Sequence, residues 1–326
     1  MKSVSILALL APFALSGCLI VSETRETVSP PPPERTAFGG PVDSLSPNGV
    51  PVRGVQIATS ATTTQASASV DSGLIIFRDV VYGHHDGMAT VYDVIKPPNA
   101  SGAAVLYMVS GGWVSRWAEP ESRVAQFRPL LDAGITVIPV HHGSAPRFKV
   151  PEAHADVKRA LRHVSLNAKT YGVDASRLGV FGGSAGGHLS LMLGLNGDDG
   201  DPAAKDPVLR GAARIKVVVS YYPPSDLRRL AGPSERFPAL DFPPDQAAAI
   251  SPILFADGKD PATLIVHGDA DELVNISSGK AMYDALKAAG AKTEFVVIKG
   301  GDHGFSNAEH RAEAGRAMAK WFKENL

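Results

Sequence analysis

The sequence predicts an α/β fold with a mostly parallel central sheet and helices on both of its faces. Short apolar runs alternate along the chain with longer segments of helical periodicity, the pattern of strands joined by crossover helices. Candidate chemical groups follow four of the predicted strands, at Ser110, Ser184, Asp271 and His303. Because the carboxyl ends of parallel strands meet at one edge of a sheet, these four positions are expected to share one site.

Two early strands are expected to pair antiparallel, after which strand and helix alternate. The predicted strands cover 74–82, 89–95, 104–109, 135–140, 178–181, 215–222, 262–266 and 293–298. The predicted helices cover 121–133, 151–171, a segment continuing through 188–193, 279–289 and the C-terminal residues. Gly134 and Gly172 are expected to end two of these helices, because glycine readily adopts the left-handed conformation of a helix C-cap.

Two further local signals concern the second half of the chain. Ser306 and Glu309 have the spacing of a capping box and are expected to begin the last helix. The segment 223–252 is rich in proline and has no regular period, so it is expected to form a small lid or a pocket wall.

The run Gly182-Gly183-Ser184-Ala185-Gly186-Gly187 carries the candidate nucleophile. It reads as G-x-S-x-G between an apolar strand and a helix, a context in which a sharp turn exposes the serine hydroxyl above the sheet. Side chains at Gly182 or Gly186 are expected to collide with neighbouring chain in such a turn. Serine is a weak nucleophile at neutral pH, so this interpretation requires a base and an orienting acid later in the sequence.

Both partners are present in the required order. His303 lies in a loop after the strand 293–298 and is the candidate base, whereas His310 falls in the first turn of the following helix and is the weaker alternative. Asp271 follows the strand 262–266 and is the candidate acid, which would accept the far N–H of the imidazole. The residues alone leave Asp269 and Glu272 open as alternatives.

A candidate oxyanion hole follows the strand 104–109, in the run Ser110-Gly111-Gly112-Trp113. Glycines at this position let the backbone approach a substrate carbonyl and direct N–H groups at its developing negative charge. The N–H of Ala185, directly after the candidate nucleophile, is expected to be the second donor. A plain Gly-Gly turn is the alternative.

These stretches together resemble the α/β-hydrolase superfamily, in the esterase/lipase branch that includes hormone-sensitive-lipase-like and feruloyl-esterase-like (BD-FAE) enzymes. The resemblance extends from about residue 74 to the C-terminus. It is carried by the stretches 110–113, 171–178, 182–189, 267–271 and 302–305.

The resemblance implies a Ser-His-Asp triad of Ser184, His303 and Asp271, with an oxyanion hole at Gly111, Gly112, Trp113 and Ala185. It further implies hydrolysis of small carboxylic esters through an acyl-enzyme intermediate, with no cofactor. Ser110 is a departure, because the family often has histidine there, and it leaves the identity of the N–H donors open.

Three other functions stay open at this stage. A serine peptidase of the prolyl-oligopeptidase type shares this catalytic domain, although that family usually carries a large propeller upstream. A non-catalytic lipoprotein that binds ligands through a hydrolase fold is the second alternative, and it would be expected to have a broken triad. A structural surface lipoprotein is the third, and it would not need the turn at Ser184.

Composition excludes other classes of partner. The chain has 32 basic and 33 acidic residues and a formal net charge of −1, so nucleic acid is not an expected partner. The adjacent pairs His84-His85 and His141-His142 lack the i, i+4 spacing of a helical zinc pair, so no metal site is predicted. No signal for an oligomeric state is present.

The N-terminus has the pattern of an export signal. An apolar stretch over 4–15, too short to span a membrane, is followed by Leu15-Ser16-Gly17-Cys18. This run resembles the lipobox of bacterial lipoproteins, in which the signal is removed and the cysteine is lipidated. Cys18 is the only cysteine in the chain, and an ordinary signal peptide with an incidental cysteine is the alternative.

These patterns divide the chain into a signal peptide at 1–17, a tether at 18–70 and a catalytic domain at 71–326. The tether contains four consecutive prolines at 30–33 and a polar low-complexity stretch at 59–69. Lipidated Cys18 is expected to anchor an exported protein to the membrane, the outer one where the host has two membranes.

Overall fold

A nine-stranded sheet organises the part of the chain that the structure, a computed structural model, describes: residues 66–68 and 73–326. The strands are β1 (Ala66–Ala68), β2 (Ile75–His85), β3 (Met88–Lys96), β4 (Ala104–Met108), β5 (Thr136–Val140), β6 (Leu178–Gly183), β7 (Val217–Tyr221), β8 (Ala262–Gly268) and β9 (Thr293–Ile298). They lie in the order β1-β2-β3-β5-β4-β6-β7-β8-β9. Strands β4 to β9 run parallel to one another, whereas β1, β2 and β3 are antiparallel to their neighbours. The predicted mostly parallel sheet is therefore confirmed.

Helices cover both faces of this sheet, as predicted. They are α1 (Pro120–Leu131), α2 (Val150–Leu166), α3 (Ala168–Tyr171), α4 (Ala185–Leu195), α5 (Ile276–Ala289) and α6 (Ala308–Asn325). Phe127 of α1 and Phe322 of α6 belong to the apolar core on one face. Leu161 of α2, Leu189 of α4 and Met282 of α5 belong to the core on the opposite face. Two separate apolar layers therefore hold the sheet between helices.

Two helix boundaries differ from the predictions. The predicted helix over 151–171 is divided at Asn167, where α2 ends and the short α3 begins, although Gly172 ends α3 with the expected positive φ of 66°. The capping box predicted for the last helix is wrong. Asn307 caps α6 by accepting the N–H of Glu309, whereas the N–H of Ser306 is held by the Asp302 carboxylate. Asparagine is as good an N-cap as serine, and Asn307 directly precedes the first residue of the helix, Ala308.

The sheet begins a few residues before the predicted catalytic domain. Strand β1 lies inside the segment 18–70 that was predicted as a tether, and it pairs with β2 as an edge strand. The signal peptide, Cys18 and most of that segment lie outside the described residues. No helix in the described ranges is long and apolar enough to cross a membrane.

The irregular segment 223–252 packs beside the carboxyl ends of the strands. Its regular structure consists of short 3-10 turns at Pro238–Leu240 and Pro244–Ile250. The Lys149 ammonium, at the start of α2, donates to the carbonyl of Pro238 at 2.9 Å. Leu240 is buried in the core, so this segment is a packed part of the domain.

Candidate active site

The candidate nucleophile lies on a sharp turn between β6 and α4. Ser184 has φ 55° and ψ −121°, a strained conformation for a residue that carries a side chain. Its N–H donates to the carbonyl of Tyr221 on the neighbouring strand, and its carbonyl accepts the N–H of His188 one helical turn later, both at 2.9 Å. The turn is therefore fixed on both sides of the serine.

The glycines around Ser184 permit close contact between backbone segments, as the sequence predicts. A Cβ atom on Gly182 would lie 2.5 Å from the carbonyl carbon and oxygen of Gly186. A Cβ atom on Gly186 would lie 2.7 Å from the carbonyl oxygen of Met108 on β4. Both distances are shorter than real Cβ contacts, and backbone atoms cannot move aside as a flexible side chain would.

Ser184, His303 and Asp271 form one chain of hydrogen bonds. The Oγ of Ser184 lies 3.0 Å from Nε2 of His303, and Nδ1 of His303 lies 2.8 Å from Oδ2 of Asp271. Asp271 is buried, whereas the His303 side chain is about one-fifth exposed at 19%. With Nδ1–H donating to the carboxylate, Nε2 carries the lone pair that accepts the serine proton.

Four N–H groups converge on the carboxylate of Asp271. The backbone N–H groups of Leu273 and Val274 donate to Oδ1, both at 2.9 Å. The other oxygen, Oδ2, accepts the Nδ1–H of His303. It also lies 3.3 Å from Nε2 of His267, whose N–H is shared with the carbonyl of Val274. The carboxylate is therefore held in one orientation, with its remaining acceptor capacity directed at His303.

The alternative acid and base residues lie elsewhere. Asp269 accepts the N–H of Gly300 and Glu272 is exposed, and neither contacts His303 within the described residues. His310 lies in the first turn of α6, and its buried Nδ1 has no partner in the described part of the chain.

The predicted oxyanion residues form a tight two-residue turn. Gly111 and Val114 exchange both backbone hydrogen bonds, at 3.1 and 3.0 Å, and the residues between them, Gly112 and Trp113, have φ angles of 58° and 57°. Two consecutive positive φ angles are typical of a type I′ turn. The N–H of Gly111 therefore donates to the carbonyl of Val114 within the turn. This corrects the prediction that Gly111 donates to the oxyanion of a substrate.

Three other backbone N–H groups near the serine are unused. Across residues 73–326, no acceptor is found for the N–H groups of Gly112, Trp113 or Ala185. Ala185 is the first residue of α4, where helix geometry leaves the N–H without an intrahelical partner and the helix dipole favours negative charge. These three groups are the donors that the geometry makes available to an oxyanion.

Ser110, the departure from the family pattern, has a histidine partner from another strand. Nε2 of His142, at the end of β5, lies 2.9 Å from Oγ of Ser110, and the carbonyl of Gly143 accepts from Nδ1 at 2.7 Å. Sequence reasoning considered His142 only as a metal ligand and missed this contact, because the two residues are distant in sequence. Among the described residues, no cluster of three or more His, Cys, Asp or Glu side chains could hold a metal ion.

A cavity of about 390 Å³ opens beside Ser184 and His303. Five Phe and Tyr side chains line it, and one of them, Phe237, belongs to the segment 223–252. The ring of Phe237 lies 3.1 Å from the position of a Cβ on Gly112. Four further residues that line the cavity carried no signal in the sequence: Tyr107, Gln126, Phe181 and Leu273. Tyr221 and Tyr222 complete the aromatic part of the wall, whereas Trp117 lines a separate cavity.

Tyr222 packs its ring against the His303 imidazole in this wall. Its ring centroid lies 4.7 Å from that of His303, and its backbone has a positive φ of 36°, which is unusual for an aromatic residue. Burial raises the pKa of the Tyr222 phenol well above its ordinary value, so the hydroxyl stays protonated and can donate a hydrogen bond.

Comparisons with known proteins place this geometry in a family context. The sequence model of the BD-FAE family matches residues 92–286. The esterase LipQ of Mycobacterium tuberculosis (strain ATCC 25618 / H37Rv) is 28% identical over 245 residues, covering 71% of this chain and 57% of LipQ. The ethyl acetate hydrolase of Pseudomonas putida is 28% identical over 243 residues, covering 68% of this chain and 72% of that protein.

A solved structure is similar over the same region. The truncated form of a carbohydrate esterase from gut microbiota superposes with a TM-score of 0.64 at 27% identity, over 76% of this chain and 95% of that one. The chain spans little more than half the length of the mycobacterial relatives, 57% of LipQ and 51% of LipM. The match of the family model over 92–286, together with the α/β-hydrolase fold seen here, shows that the chain belongs to the BD-FAE family.

Proposed function

We propose that this protein is a carboxylic ester hydrolase that works through an acyl-enzyme on Ser184. The observation that carries the proposal is the continuous hydrogen-bond chain from Ser184 through His303 to Asp271, beside a cavity of about 390 Å³. The esterases among the relatives and the similar carbohydrate esterase support the same reaction class.

Ser184, His303 and Asp271 each have a defined role in this reaction. His303 takes the proton of Ser184 at Nε2 as Oγ attacks the ester carbonyl carbon. The tetrahedral intermediate collapses when Nε2 returns that proton to the departing alcohol oxygen. Water then attacks the acyl-enzyme with His303 again as base, which releases the acid and restores Ser184. Asp271 holds the imidazole in the productive tautomer and stabilises its protonated form.

The negative charge on the carbonyl oxygen is received by backbone N–H groups. Those of Gly112, Trp113 and Ala185 are without other partners in the described residues, and they come from two elements that lie beside one cavity. Removing a single such donor typically lowers kcat by about 10²–10³-fold, so these groups carry a large share of the rate enhancement.

Hydrolysis of p-nitrophenyl acetate and butyrate by the full chain tests the proposal. Ser184→Ala and His303→Gln should each lower kcat by several orders of magnitude, at least about 10³-fold. His310→Gln is the matched control, because it changes the histidine seven residues after His303, which makes no hydrogen bond to Ser184 or Asp271, and it should keep wild-type activity. Wild-type activity that survives in Ser184→Ala would refute the assignment.

We also propose that the site prefers esters of short acids. Phe181, Tyr222 and Phe237 narrow the cavity beside the serine, and Phe237 reaches it from the packed segment 223–252. The related ethyl acetate hydrolase is consistent with this size. A series of p-nitrophenyl esters from acetyl to palmitoyl tests it, and a maximum at the long chains would contradict it. The p-nitroanilide of the same acid tests the peptidase alternative, which predicts the amide as the better substrate.

A separate proposal concerns the N-terminus. The lipobox-like run before Cys18 supports export and lipidation at that cysteine, with residues 19–65 as a spacer. Expression of the full chain in a bacterial host should give a membrane-bound form whose mass exceeds that of the processed polypeptide. Cys18→Ser should abolish the added mass, and an unchanged distribution and mass would refute the proposal.

A further inference from the structure

His188 is a buried histidine that takes no part in the hydrogen-bond chain of Ser184. It lies one helical turn after the serine on α4 and its side chain is fully buried, at 0% exposure. Its ring contacts two elements that are distant in sequence, the turn at Gly112 and Trp113 and the segment 223–252. A side chain that joins three parts of one site has the geometry of a positioning residue.

The hydrogen bonds of His188 determine its tautomer. The indole Nε1 of Trp113 lies 3.3 Å from Nδ1 of His188, and because indole can only donate, Nδ1 must accept. The proton is therefore on Nε2, which donates to the carbonyl of Ile250 at 2.8 Å. Burial lowers the pKa of His188 to about 4, so the ring is neutral at neutral pH and Nδ1 stays free to accept.

The contact reaches the oxyanion turn through a strained residue. Trp113 has a φ of 57°, a conformation that residues with a side chain rarely adopt, and its indole is 4% exposed. The indole also packs edge-on against the His188 ring, with centroids 5.5 Å apart and planes at 77°. The side chain of Trp113 thus holds a backbone conformation that would relax if the indole were free to move.

The segment 223–252 is joined to the same turn at a second point. Ile250 receives the Nε2–H of His188, while Phe237 of that segment packs on Gly112. The two residues that offer unused N–H groups, Gly112 and Trp113, therefore each contact a side chain that depends on this segment. The turn is held from the core side by His188 and from the pocket side by Phe237.

We propose that His188 is a positioning residue that sets the direction of the Gly112 and Trp113 N–H groups through its hydrogen bond to the Trp113 indole. The proposal rests on the function proposed above, because the N–H groups matter only if a tetrahedral intermediate forms at Ser184. A displacement of about 1 Å in such a group is enough to lower the rate by up to about 100-fold.

Two substitutions separate the two hydrogen bonds of His188. His188→Asn places an amide oxygen where Nδ1 lies and can accept from Trp113, but it cannot reach Ile250. His188→Gln places an amide nitrogen near the position of Nε2 and can donate to Ile250, but it leaves the indole unpaired. Trp113→Phe removes the indole N–H and keeps an aromatic ring, so it tests the same bond from its other end.

The full chain and its variants are compared for kcat and KM on p-nitrophenyl butyrate, with melting temperatures measured in parallel. We expect His188→Gln and Trp113→Phe each to lower kcat about tenfold with KM within about twofold, and their combination to be no worse than either alone. His188→Asn should keep kcat within about threefold although it also lowers the melting temperature. A boronic acid that forms a tetrahedral adduct on Ser184 should lose affinity in the variants that lose kcat.

The results distinguish three cases. If kcat falls equally in His188→Asn and His188→Gln, or follows the melting temperature across the series, His188 only stabilises the fold and the inference is wrong. An unchanged kcat in Trp113→Phe also overturns it. If the wild-type chain hydrolyses none of the esters while Ser184→Ala behaves identically, the proposed function has failed, and that result is separate from any difference among the His188 variants.

Discussion

Asp271→Asn tests the electrostatics of the candidate site most directly. Four N–H groups face the carboxylate, two at Oδ1 and two at Oδ2. An asparagine offers one oxygen and one amide group in the same volume, so two of the four donors must face another donor. If the oxygen keeps the backbone N–H groups of Leu273 and Val274, the amide faces Nδ1 of His303 and selects the tautomer with the proton on Nε2. That tautomer cannot accept the proton of Ser184.

The magnitude follows from the loss of the correct tautomer. The equivalent change in a Ser-His-Asp triad lowers kcat by about 10⁴-fold, which is ~5.4 kcal/mol of transition-state stabilisation at ~1.36 kcal/mol for each factor of ten. Stability should also fall, because each unsatisfied buried donor costs about 1–3 kcal/mol. The folded variant should therefore be a few degrees less stable but still soluble and measurable at 25 °C.

Steady-state hydrolysis of p-nitrophenyl butyrate measures the loss of kcat. A thermal melt of the same preparation measures the loss of stability and shows that the variant is folded. Glu272→Gln is the matched control, since it neutralises the neighbouring exposed carboxylate and should leave kcat unchanged. A folded Asp271→Asn protein with kcat within tenfold of wild type would refute the argument. The same result combined with a large loss in Asp269→Asn would move the acid to that residue.

Three further predictions concern stability, specificity and pH. Gly182→Ala should lower the free energy of unfolding by roughly 3 kcal/mol or more in a denaturant titration, because its Cβ would lie 2.5 Å from backbone atoms. Gly211→Ala is the control, since a Cβ there would have nothing within 4 Å, and it should change the free energy of unfolding by less than ~0.5 kcal/mol. Equal effects of the two substitutions would contradict the steric argument. Phe237→Ala should raise the ratio of kcat/KM for octanoyl over acetyl esters about tenfold, because the enlarged cavity can bury about two more methylenes at ~0.8 kcal/mol each. Leu230→Ala changes an exposed residue of the same segment and should leave this ratio unaltered. Burial raises the pKa of Asp93 to about 6, above its value of about 4 in the unfolded chain, so the folded state loses stability as the pH rises from about 4 to 6. Asp93→Asn lacks this titration and should gain stability relative to wild type across the same pH range. A difference in melting temperature that is constant with pH would show that Asp93 is not the source of the pH dependence.

Local patterns in the sequence were sufficient to predict the sheet and the candidate triad. Every stretch predicted as a strand between residues 74 and 298 forms one, β2 to β9, because short runs rich in β-branched and aromatic residues suit a sheet that is covered by helices. Ser184, Asp271 and His303 could be predicted as candidates because each follows a strand in a loop of characteristic residues. Their contact then depends only on the parallel arrangement of β6, β8 and β9.

The parts that sequence reasoning missed depend on contacts between distant residues. Phe237 carries no local signal for a pocket, since its place follows from how the segment 223–252 packs over Gly112. The pairing of Ser110 with His142 likewise joins residues that are 32 positions apart in the sequence. The use of the Gly111 N–H by the Val114 carbonyl is the exception, because it is a local turn with no asparagine or aspartate to mark its type. Strand β1 is three residues long and lies in the polar low-complexity part of the sequence, so no local pattern predicted it.

The closed turn between Gly111 and Val114 has a consequence for small substrates. Its two reciprocal hydrogen bonds are present in the free protein, so the conformational entropy of the loop is lost during folding and not when a ligand arrives. An ester of a short acid makes few contacts and has little binding free energy with which to order a loop. Because the turn is already ordered, that free energy remains available for positioning the carbonyl carbon at Ser184. Even an ester with only a few heavy atoms therefore binds to a turn that needs no further ordering.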